Sequence, residues 1–80
     1  MDVLDFKNGS NLKVFFKEKE NYLIGQYKCY EEKGADSWFA LTGYAWFSKS
    51  TGKILKPSYL EDNSVIITFK ISDVEHLEIF

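Results

Sequence analysis

The chain has no arginine among its 80 residues, and it has only one cysteine, one histidine, one proline and one methionine. Each scarcity removes a class of function. Without arginine there is no rigid fork to read base edges or clamp phosphates in two-point fashion. Ten lysines stand against twelve acidic residues, net −2, so there is no overall positive excess to release counterions from a nucleic acid. The two halves of the chain carry similar mild charge, so neither reads as a basic arm or an acidic tail. A single cysteine, Cys29, allows neither an internal disulfide nor a cysteine-based zinc site, which points to a reducing compartment and a cytoplasmic location. No apolar run approaches the roughly 20 residues that a membrane-spanning helix needs. Met1 to Lys7 places two aspartates before its first lysine and does not read as a secretory signal. The Lys-only basic set suggests an AT-rich genome, bacterial or phage.

Aromatic residues are abundant: seven Phe, five Tyr and two Trp make up 18% of the chain. At this length the area scaling gives roughly 13,500 Å² unfolded and roughly 5,000 Å² folded, a single domain over residues 1–80 with little material to spare for a large internal pocket.

Apolar and polar residues alternate over short segments, separated by clusters of Gly, Asn, Asp and Ser about every ten residues, which is the pattern of β-strands. Five to seven strands are expected. Val3 to Phe6 is a brief first strand, followed by a turn at Asn8-Gly9 and a strand from Leu12 to Lys17. Tyr22 to Tyr30 places Leu23, Gly25, Tyr27 and Cys29 on one face, with Gly25 marking a bulge or close backbone approach and Cys29 a small buried hydrophobe. After a polar loop from Glu31 to Asp36, the strand from Ser37 to Phe47 is apolar on both faces. Phe39, Leu41, Gly43, Ala45 and Phe47 share one, and Trp38, Tyr44 and Trp46 share the other. That second face is either more core or a recognition surface.

Lys49 to Gly52 reads as a turn, and Ile54 to Tyr59 as irregular or edge-like because Pro57 cannot donate to a ladder. Val65 to Ile71 turns Val65, Ile67, Phe69 and Ile71 inward. Ser72 and Glu75 have capping-box spacing, which predicts one helical turn near 72–76 before a last strand from Leu77 to Phe80. The expected fold is mainly β: a small antiparallel sheet, or a partly open barrel. The strand order with one late turn, and the ending from Ile71 to Ile79, resemble small SH3-like and Sm-like barrels.

The chemistry-bearing residues are sparse. His76 lies between acidic neighbours with no nucleophile placed for it, so no catalytic group is expected and the chain is not read as an enzyme. Neither Glu31-Glu32 with Asp36 nor Glu61-Asp62 has the spacing of a calcium loop, and no metal or cofactor is expected. Gly43 to Ser50 lacks the second glycine of a phosphate-binding loop.

The expected function is a small non-catalytic protein-binding module of inhibitor or immunity type. Trp38, Tyr44 and Trp46 would supply the binding energy, and Glu31, Glu32, Glu61 and Asp62 would steer a basic partner. A second reading is a barrel that binds single-stranded nucleic acid through Lys49, Lys53, Lys56 and Tyr59. A third is self-association as a homodimer, through the edge of the Tyr22 to Tyr30 strand or the Ile79-Phe80 terminus. No membrane partner is expected.

Overall fold

The computed structural model describes residues 9–80. The expected strand at Val3 to Phe6 lies outside them. Five antiparallel strands form one sheet: β1 (Asn11–Phe16), β2 (Asn21–Lys33), β3 (Asp36–Ser48), β4 (Ile66–Lys70) and β5 (Val74–Ile79). The spatial order is β4-β3-β2-β1-β5. β1 to β4 are laid down side by side, and the chain then crosses to pair β5 with the free edge of β1. The two outer strands, β4 and β5, are not paired with each other, so the sheet curls around its core without closing.

The core follows from alternation. Leu12, Val14 and Phe16 on β1 face Leu23 and Tyr27 on β2, and Phe39 and Leu41 on β3 face Ile67 and Phe69 on β4. From β5, Val74 and Leu77 pack on the same cluster, and no charged or polar side chain is buried among the described residues. Of the expected inward set, Ile67, Phe69 and Ile71 pack on the core while Val65 precedes β4 and stands outside the cluster, and Ile66 and Thr68 turn outward. The folded surface of 5224 Å² agrees with the value expected from chain length.

β2 and β3 are longer than the alternation pattern indicates. Residues Glu31 to Asp36, read as a polar loop, instead continue both strands to a tight turn at Gly34-Ala35, with Gly34 at φ +63°. Straight strands of 13 residues would run about 40 Å, more than the molecule's longest axis of 35 Å. The register against β3 shifts twice along β2, between Ile24 and Gln26 and between Tyr27 and Cys29, and bulges of this kind bend a strand. At the first, Gly43 and Tyr44 of β3 together face Gly25, so the extra residue lies on β3 and Gly25 is the close backbone approach that the glycine suggested. The second reverses the alternation, so Cys29 is exposed and not a buried hydrophobe, while Tyr30 joins the core side.

Near the C-terminus the turn is a 3-10 turn over Ile71–Asp73, capped by Lys70 without any side-chain hydrogen bond. The expected box between Ser72 and Glu75 does not form because Val74 already begins β5. Because β2 lies between β1 and β3, the edge of Tyr22 to Tyr30 that self-pairing would use is occupied over Tyr22 to Gln26.

Candidate functional site

Simple alternation along β3 would put Trp38, Tyr44 and Trp46 on one face. Gly43 breaks it. This residue takes φ +56°, a left-handed conformation that L side chains rarely adopt. It also sits where a Cβ would come within 2.9 Å of the Asn63 Oδ1 and 3.3 Å of the Leu60 carbonyl oxygen. Opposite this bulge of β3, Gly25 lets Tyr44 approach so closely that a Cβ on Gly25 would lie 3.0 Å from the Tyr44 Cβ. Side-chain direction reverses across this point. Trp38, Ala40 and Thr42 pair with Lys70, Thr68 and Ile66 on the outer side, whereas Tyr44 and Trp46 pack against the core. Phe47, expected on the core face, pairs with Tyr22 on the outer side. The stripe expected to hold Trp38, Tyr44 and Trp46 together is thus divided between the two faces.

Tyr44 and Trp46 are nevertheless not sealed in. The segment after the Lys49 to Gly52 turn runs back beside them, held by the Leu55 amide donating to the Trp46 carbonyl and the Tyr59 amide donating to the Tyr44 carbonyl, both at 2.8 Å. It forms only one bridge, Phe47 to Ile54, in accord with an irregular stretch around Pro57. Tyr59 thereby lies against Tyr44, ring centroids 5.3 Å apart. Between this segment and the β1–β2 turn opens a hollow of about 600 Å³ lined by Tyr44, Trp46, Leu55, Pro57 and Tyr59, with Lys19, Glu20 and Lys56 at its rim. Trp46 packs on Phe16 at 5.5 Å on the core side, and the Lys19 ammonium stands 5.8 Å from its ring centre.

A second hollow of about 400 Å³ shares Trp46 and Lys19 with the first and extends to Phe69, Lys70 and Trp38. The curl of the sheet therefore brings Trp38 and Trp46 to one opening despite their opposite directions on β3. Lys70 lies 5.5 Å over the Trp38 ring, as Lys19 does over Trp46. The two hollows adjoin at Trp46 and Lys19, which line both, and are together called the groove.

The chain matches no known protein family, no curated protein and no solved structure. The groove's chemistry is therefore read from its own residues.

None of the acidic residues expected to steer a partner lines the groove, although the Asp62 amide donates to the Tyr59 carbonyl at its edge at 3.0 Å. Glu31 pairs with Lys33 at 3.5 Å, and Glu32 accepts a hydrogen bond from the Tyr30 hydroxyl at 2.7 Å, both at the far end of the β2–β3 hairpin. Asp36 pairs with Lys70 at 3.7 Å. Glu61 is exposed in the turn after Tyr59, and Asp62 there accepts hydrogen bonds from the Ser64 side chain and amide, which hold its carboxyl below the ordinary value. Of the lysines proposed for nucleic acid, Lys56 lines the groove together with Tyr59, while Lys49 and Lys53 lie in the adjoining turn. Sequence reading missed Lys19, Leu55 and Pro57. Only the pairing of the β1–β2 turn with the end of β3, seen in the Lys49 amide donating to the Glu20 carbonyl at 2.9 Å, brings Lys19 to Trp46.

The outer side carries a different aromatic array. Phe47, Tyr22, Phe15 and His76 come from four adjacent strands and stack in turn, with centroids 5.5, 5.0 and 4.3 Å apart and planes within 23° of parallel. His76 also pairs with Glu78 at 3.3 Å. Because these rings cover one another's faces, the array offers edges outward.

Proposed function

We propose that this protein is a non-catalytic binding module that receives an extended segment of a partner protein in the groove at Trp46. The observation that carries the reading is that two adjoining hollows share Trp46, with Tyr44, Tyr59, Leu55 and Pro57 as apolar walls and Lys19 and Lys56 beside them. Such grooves suit extended chains, whose side chains seat in successive pockets between rings. Tyrosine and tryptophan half-exposed at one opening are the residue types that contribute most binding energy per residue at interfaces. The role proposed is masking, of inhibitor or immunity type, in which this surface occludes part of the partner.

The second reading, single-stranded nucleic acid, is favoured by one observation, the meeting of Lys56 and Tyr59 in the groove with Tyr44 and Trp46. Stacking platforms need open ring faces. Trp46 has Phe16 against it on the core side and Lys19 over it, and Tyr44 lies against Tyr59, so the groove presents ring edges and aliphatic walls to a base. This supports a protein segment over a base.

Site-specific photocrosslinking tests the reading. A benzophenone side chain at position 59, in the groove, is expected to yield a discrete protein adduct in the cells that make this chain, and the same group at position 28, on exposed β2, is expected to yield none. Adducts to nucleic acid at position 59, or an equal protein adduct from both positions, would overturn it.

A further inference from the structure

More lysines than carboxylates line the groove: Lys19, Lys56 and Lys70 against Glu20 and Asp73. Residues 17–20 and 48–57 contain five lysines and two glutamates, net +3, while the rest of the chain contains five lysines and ten acidic residues, net −5. The fold joins these two separate segments, since Asn21 pairs with Ser48 and the Lys49 amide bonds to the Glu20 carbonyl. Lys19, Lys49, Lys53 and Lys56 make no ion pair with an acidic side chain among the described residues, whereas Lys33 and Lys70 each have a carboxylate partner. Lysines without partners at the rim of an aromatic groove keep their charge available to an incoming anion, and the field around them falls off over about a Debye length, 8 to 10 Å at ordinary salt.

We infer that the segment received by the groove is acidic: an extended peptide carrying Asp or Glu side chains that reach Lys19 and Lys56, with an apolar or proline residue between them seated against Tyr44, Tyr59 and Leu55. This rests on the groove being a peptide site, and it assigns the partner a charge opposite to the one expected from the acidic pairs at Glu31-Glu32 and Glu61-Asp62. The Lys19 ammonium stands over the Trp46 ring, so an acidic ligand draws it off the ring and exchanges a cation–π contact for an ion pair. A basic ligand would instead meet Lys19 and Lys56 as like charges.

Selection from a phage-displayed library of random dodecapeptides, at low salt and against the full chain, tests this directly. The enriched peptides are expected to be net negative with a central apolar or proline residue. Synthetic copies are expected to lose about tenfold or more in affinity to the Lys19→Glu, Lys56→Glu double variant. The Lys28→Glu, Lys33→Glu variant changes net charge equally at the other end of the molecule and should alter affinity less than twofold. All four lysines are exposed, and circular dichroism verifies that both variants keep the fold. Enriched peptides that are neutral or basic, yet lost on Trp46→Ala, would overturn the acidic assignment and leave the peptide groove standing. An equal loss in both charge variants would also overturn it. No enriched peptide, with or without binding of a labelled oligothymidylate, would overturn the groove reading itself.

Discussion

At the scale of single residues, two glycines decide where the aromatic side chains go. Gly25 admits Tyr44 so closely that a Cβ there would make a tight 3.0 Å contact, and Gly43 supplies the left-handed turn that reverses β3. Gly34 and Gly52 also have positive φ, but nothing lies within 4 Å of a Cβ built on either. Replacing Gly34 with Ala should therefore cost about 1 kcal/mol, the strain of the left-handed backbone alone. Gly43→Ala should cost at least twice as much, because Asn63 and the Leu60 carbonyl must also shift. Urea denaturation of the two variants measures both, and equal losses would show that Gly43 is not held as described. The close backbone approach at Gly25 was legible in the sequence, since a glycine inside an alternating strand has few other uses. The reversal at Gly43 was not, because a glycine between two apolar faces gives no sign of its φ. The error over Trp38, Tyr44 and Trp46 follows from that one residue.

At the scale of elements, the strands were legible and their pairing was not. Alternation located the cores of all five described strands and the inward set of β4, because burial on one side imposes a period of two. It left open which outward ring stands beside which. Only the register places Tyr22 opposite both Phe15 and Phe47, and Phe15 opposite His76. This array ties four strands together and has a measurable energy. A double-mutant cycle with Phe15→Leu and Tyr22→Leu should give a coupling of about 0.5 to 1.5 kcal/mol, as expected for stacked cross-strand aromatics. A coupling near zero would mean that the rings merely share a face. The irregular stretch from Ile54 to Tyr59 was recognised from Pro57, but its role as one wall of a groove depends on two backbone hydrogen bonds to β3 that no local pattern announces.

At the scale of the whole molecule, the distribution of charge and of rings was hidden for the same reason: both arise from segments far apart in the chain. Each half of the sequence is mildly acidic, yet the fold collects lysines from the β1–β2 turn and from residues 48–57 at one end. The richness in aromatics, visible at once, divides into three structures: the interior around Phe39 and Phe69, the outer stack, and the groove at Trp46. The account stands on the third of these being the place where a partner binds. Amide and indole shifts in a nitrogen-15 spectrum, followed while an enriched peptide is added, test it most directly. The largest changes are expected on Lys19, Tyr44, the Trp46 indole, Leu55 and Tyr59, with Tyr22, Phe47 and His76 little affected. Changes centred on those three outer residues, with the Trp46 indole unmoved, would contradict it.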